Sequence, residues 1–85
     1  MSDTQQLKQH IMQMAVADVE LLMQIIGELG FIGYKVSLCK LKGYSLQQCA
    51  NKYGLTKEQA RYSWKKCEDL EYDKALARLF GIQYM

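Results

Sequence analysis

The chain has 85 residues, 49% of them hydrophobic, a net charge of +2 and no proline. That length makes one domain, burying somewhat more than ~60% of its unfolded surface, and the hydrophobic share excludes a disordered tail. Cys39, Cys49 and Cys67 sit among apolar neighbours at spacings that fit no common zinc pattern, so they read as reduced, buried side chains in a reducing, cytoplasmic compartment.

Charge is distributed unevenly. Residues 1–34 set Lys8 against Asp3, Asp18, Glu20 and Glu28, a net −3. Residues 35–66 set Lys35, Lys40, Lys42, Lys52, Lys57, Arg61, Lys65 and Lys66 against Glu58, a net +7. Residues 67–85 set Lys74 and Arg78 against Glu68, Asp69, Glu71 and Asp73, a net −2. A basic middle between acidic flanks suits a locally attached polyanion.

Asp3 with Gln6 is spaced to cap a first helix. Ile11, Ala15, Val19, Leu22, Ile26 and Leu29 then recur at intervals of three or four, one face of a long helix. Met12, Met14, Val16, Leu21, Met23 and Ile25 widen that face until little of it is polar. Such a helix is buried on more than one side, either centrally in the monomer or against a second copy. Asp18 is exposed, or caps a second helix if the segment breaks there. No signal peptide is expected, since the first residues are acidic and amide side chains. Three acids between Ile11 and Ile32 argue against a membrane span.

Gly30 is the candidate terminator of the long helix. A further helix comes next, with Phe31, Tyr34, Leu38 and Leu41 inward and Lys35, Ser37, Lys40 and Lys42 outward, and Gly43 ends it. Ser45 with Gln48 forms a capping box, so a two-turn helix starts at Leu46, its apolar side made of Leu46, Cys49, Ala50 and Tyr53. Gly54 and Leu55 lead to a second capping box, Thr56 with Gln59. The next helix has Ala60, Trp64 and Cys67 inward and Glu58, Arg61, Tyr62 and Lys65 outward. Ala50 and Ala60 are the small residues that let two helices approach, and Leu55 plugs the turn. Leu46, Cys49, Ala50, Tyr53, Leu55, Ala60 and Trp64 are expected to form one cluster.

This pattern is a helix-turn-helix. It resembles the DNA-binding motif of bacterial transcription regulators, most of all the C-terminal DNA-binding region of sigma factors, through Leu46, Ala50, Gly54, Leu55, Thr56, Glu58 and Arg61 in register. The likeness covers roughly a third of the chain. It implies that the second helix enters the major groove and that an acidic-then-basic pair such as Glu58 and Arg61 reads base edges. Cys49 and Ala60 stand where larger aliphatics are usual, so the core contact is expected to be rebuilt around Trp64. The other regions of a whole sigma factor are lacking.

The chain is therefore expected to be all-α, a compact bundle of about five helices containing a helix-turn-helix. Residues 1–42 form the scaffold or dimerisation part, 43–67 the motif and 68–85 a packing segment. Lys57, Glu58, Gln59, Arg61, Tyr62 and Lys65 are the candidate base-reading residues, and Lys40, Lys42, Lys52 and Lys66 the candidate phosphate contacts. Double-stranded DNA is the expected partner, with a homodimer through the first helix as a further option. The alternative is an all-helical adaptor that binds a protein of the transcription machinery and no DNA. His10 has no nucleophile beside it, and Glu68, Asp69, Glu71 and Asp73 lack the glycine and distal glutamate of a calcium loop. They are expected to lie scattered on the last part of the second helix, keeping its end off phosphates. No enzymatic activity, metal or cofactor is expected. Leu76, Leu79, Phe80 and Ile82 form an apolar patch expected to dock on the long helix.

Overall fold

A computed structural model describes residues 3–84, with the side chains of Asp3, Gln6 and His10 excepted. The expected cap at Asp3 and the surroundings of His10 thus lie outside the described residues. Five α-helices run in order: α1 (Asp3–Met12), α2 (Val16–Leu41), α3 (Leu46–Lys52), α4 (Lys57–Asp69) and α5 (Tyr72–Phe80). The radius of gyration is 12.3 Å, against ~12 Å for a compact domain of this length, so no helix stands away from the rest. The all-α architecture expected from the sequence is the one observed. Among the described residues, no helix is long and apolar enough to cross a membrane.

The long first helix is in fact two. The chain leaves α1 after Met12, and Ala15 takes an extended conformation (φ −63°, ψ 152°) ahead of α2. The Ala15 carbonyl then accepts from the amides of Asp18 and Val19 at 3.0 Å. No glycine, proline or capping side chain marks this break, and alanine itself favours helix. Tertiary packing decides it: the bend lets Leu7, Ile11 and Met14 fold back against the core of α2 and α5. Asp18 does not cap the break. It lies in the first turn of α2 and accepts from the Arg78 guanidinium at 3.4 Å.

As expected, one helical segment ends at Gly30 and a further one follows, the two joined across a kink within α2. The Gly30 backbone (φ 77°, ψ 158°) is open only to glycine, and helical geometry resumes at Phe31. Phe31, the first residue after the kink, does not join Tyr34, Leu38 and Leu41 inside. It stays 41% exposed while those three are buried. Ser37, expected outside, is fully buried, and its hydroxyl donates to the Gly33 carbonyl at 2.9 Å. That bond removes the cost of burying the hydroxyl.

Among the described residues the interior divides in two. One core gathers Leu22, Ile25, Tyr34 and Leu38 of α2 with Cys67 of α4 and Leu76 of α5. Leu76 and Leu79 are buried there, with Phe80 and Ile82 packed against them, so the C-terminal patch docks as expected. The second core holds Val36, Cys39, Cys49, Ala50 and Ala60, edged by Leu46, Tyr53 and Leu55. Trp64 is not part of it. Its indole packs on the first core, edge-to-face with Tyr84 at 6.2 Å between centroids. The inner stripe of α4 thus serves both cores: Ala60 faces α3, and one turn later Trp64 and Cys67 face α2 and α5.

All three cysteines are free and buried. Burial pushes the Cys49 thiol up to about 12, helped by its hydrogen bond with Cys39. Burial likewise raises Cys67 to about 11. Such thiols stay protonated and pack as small apolar groups.

Candidate nucleic-acid interface

The candidate residues depend on how α3 and α4 are joined. Ser45 caps α3: its hydroxyl accepts from the Gln48 amide at 3.1 Å, and the Gln48 side chain accepts from the Ser45 amide at 2.9 Å. Thr56 and Gln59 repeat the arrangement on α4 at 3.1 and 2.9 Å. Between them, Gly54 adopts a left-handed conformation (φ 67°). The Leu55 amide donates to Ala50 at 2.9 Å and the Gly54 amide to Asn51 at 3.5 Å, the paired bonds of a Schellman end. Leu55 is thereby turned back toward the second core. The caps and the paired bonds of the turn are all local, so the entry of α4 is fixed by sequence as well as by packing.

On α4 the inner residues Ala60 and Cys67 are fully buried, whereas Lys57, Glu58, Gln59, Arg61, Tyr62 and Lys65 are exposed. The outward stripe is as expected. Within it Arg61 pairs with Glu58 at 3.3 Å, the two side chains being 55% and 76% exposed. An exposed pair of this kind is worth ~0–1 kcal/mol, so both groups are available to a ligand that offers better partners. Gln59 is already engaged through its side-chain oxygen in the cap, which leaves its amide nitrogen as the group free to donate.

The lysines expected on phosphates are placed differently from one another. Lys42, just ahead of the turn into α3, and Lys52, at the end of α3, are exposed, the latter with its ammonium 5.6 Å from the Tyr53 ring. Lys40 is half-buried, with its ammonium 5.8 Å from the Trp64 ring. Lys66 reaches across to the Glu28 carbonyl at 2.9 Å, next to the Gly30 kink. Of the acids expected on α4, Glu68 and Asp69 lie at its end, whereas Glu71 precedes α5 in a left-handed conformation (φ 60°) and Asp73 belongs to α5 and is buried. Its carboxylate accepts from the Tyr84 phenol, and this pushes Tyr84 up to about 12.

Two further residues adjoin the outward stripe. Phe31 and Ile32 are 41% and 46% exposed and share an open groove with Leu55 and Tyr62. Helical spacing puts Phe31 inside, on the stripe of Tyr34, Leu38 and Leu41. No protein-family model, curated protein or solved structure matches the chain.

Proposed function

We propose that the protein is a small DNA-binding protein, a transcriptional regulator whose α3 and α4 act as a helix-turn-helix with α4 in the major groove. One observation carries this reading. The helix whose entry is fixed by two reciprocal caps and a left-handed glycine exposes Lys57, Arg61, Tyr62 and Lys65 on its outer side, within the segment of net charge +7. The residues that carry the likeness to sigma-factor regions support it as well.

In this reading Arg61 donates two hydrogen bonds to guanine and Glu58 accepts from cytosine, each partner exchanging the other for a base. Lys57, Gln59 and Lys65 reach neighbouring edges. Lys42 and Lys52 hold phosphates and fix register, and Lys40 and Lys66 join by leaving the Trp64 ring and the Glu28 carbonyl. Met12, Val16 and Met23, left 84%, 75% and 64% exposed, form the surface through which two copies would pair. Pairing would let the protein span two half-sites. Its function is binding in the cytoplasm, not catalysis.

The same exposed apolar side chains favour a second reading, an adaptor for a protein of the transcription machinery. Fluorescence anisotropy with mixed-sequence duplex DNA separates the two. Four phosphate-holding lysines imply a slope of log affinity on log salt of about −3.6, a loss of ~10²-fold between 50 and 200 mM salt. No duplex binding at 50 mM would leave the adaptor.

A further inference from the structure

Charge does not account for the whole outer side of α4. Tyr62 stands at its centre, 71% exposed, on the stripe that also carries Glu58 and Lys65. On one flank the α2 kink and the first half of α4 enclose an open groove of about 610 Å³, whose apolar walls are Leu29, Phe31, Ile32, Leu55 and Tyr62. The Phe31 ring is held against Tyr34 at 5.8 Å between centroids, so that wall is anchored to the core. On the other flank Tyr62 borders a smaller groove of about 380 Å³ beside Lys65 and Leu70. Tyr62 is therefore the shared wall of two grooves along the helix that carries Arg61, of which the larger has the aromatic and aliphatic walls.

This placement constrains the occupant. The proposal rests on the reading of α4 as a major-groove helix. In that groove bases present hydrogen-bonding atoms and one apolar substituent, the C5-methyl of thymine. A basic helix flanked by aromatic and aliphatic walls thus has one kind of base edge that matches them. The geometry points to a thymine-reading site: Tyr62, with Phe31 and Ile32, receives the methyl of a thymine next to the base pair held by Arg61. Phe31 and Ile32 bring α2 into specificity.

The test starts from a site selected by the wild-type protein from random duplexes. Each thymine is then replaced singly by deoxyuridine, which removes the methyl and keeps the pairing. Loss of a buried methyl is expected to weaken binding about fourfold at one or two positions, equivalent to ~0.8 kcal/mol. Tyr62→Ala should abolish the difference between thymine and deoxyuridine there, with an unchanged salt slope because no charge is lost. Tyr62→Phe should keep the difference, since the ring and not the hydroxyl makes the contact. Equal binding of the two bases at every position, a selected site without thymine, or discrimination that survives Tyr62→Ala would each overturn the inference while leaving DNA binding intact. Failure to bind any duplex would instead overturn the underlying reading and the inference with it.

Discussion

The same substitution, glycine to alanine, should have opposite effects at two positions of this protein. Gly54 lies in the turn between α3 and α4 with φ 67°, and an added Cβ would meet nothing within 4 Å. Gly27 lies inside α2, and a Cβ there also meets nothing within 4 Å. Packing is thus absent from both, and backbone conformation alone decides the sign. Alanine in the left-handed region costs ~1–2 kcal/mol, whereas alanine for glycine within a helix gains ~0.5–1 kcal/mol. At ~4–8 °C per kcal/mol for a domain of this size, Gly54→Ala should lower Tm by about 4–16 °C. Gly27→Ala should raise it by about 2–8 °C on the same scale. Thermal unfolding followed by far-UV circular dichroism measures both, and urea titration checks that the m-value is unchanged. If Gly54→Ala proved neutral or stabilising, the turn would not hold a left-handed residue. The Schellman bonds from Gly54 and Leu55 would then be absent, and with them the entry angle on which the α4 surface depends.

Packing and burial have consequences of their own. Ala50 is fully buried beside Val36 and Ala60, so Ala50→Leu should overpack the contact of α3 with α2 and α4 and cost ~1–3 kcal/mol; an unchanged urea midpoint would mean the helices do not close there. Cys49 and Cys67 keep their protons in the folded state up to about 12 and 11, from an ordinary 9.0. The unfolded chain loses them from about pH 9, so this stabilising contribution is complete below pH 9 and is lost as pH rises toward 11–12. Urea midpoints of Cys49→Ala and Cys67→Ala should fall less steeply over that window than those of the wild type. Sedimentation at high concentration should show a dimer through Met12, Val16 and Met23, and a monomer would remove that surface from the account.

Much of this arrangement is legible in the sequence because local chemistry specifies it. Ser45–Gln48 and Thr56–Gln59 have the spacing of reciprocal caps, Gly54 suits a left-handed turn, and Ala50 and Ala60 mark a close approach. The break before α2 is not legible, since Ala15 has no local reason to leave a helix and does so for contacts made by Leu7, Ile11 and Met14. Gly30 is legible as the end of one helical segment before another, because glycine admits a backbone that other residues avoid. Phe31 follows the kink directly and lines the groove between α2 and α4. Spacing assigns Trp64 to the core of Ala60 because the two share a stripe, while the partition between cores depends on where α5 and Tyr84 lie.

The central claim is that α4 reads bases while residues around it hold the backbone, and comparison of Arg61→Ala with Lys42→Ala tests it most directly. Arg61 lies on the exposed side of α4, one turn in from its N-terminus, and Lys42 is exposed ahead of α3. Equilibrium affinities of both variants for a selected site and for random duplex, across a range of salt, provide the measurement. Arg61→Ala should cost ~1–3 kcal/mol on the selected site and relax the preference at one base pair. Lys42→Ala should weaken both duplexes about equally and make the salt slope shallower by ~0.9, one phosphate contact. Indistinguishable behaviour of the two variants on selected and random DNA would contradict the account, because α4 would then be scaffold and not a reader of sequence.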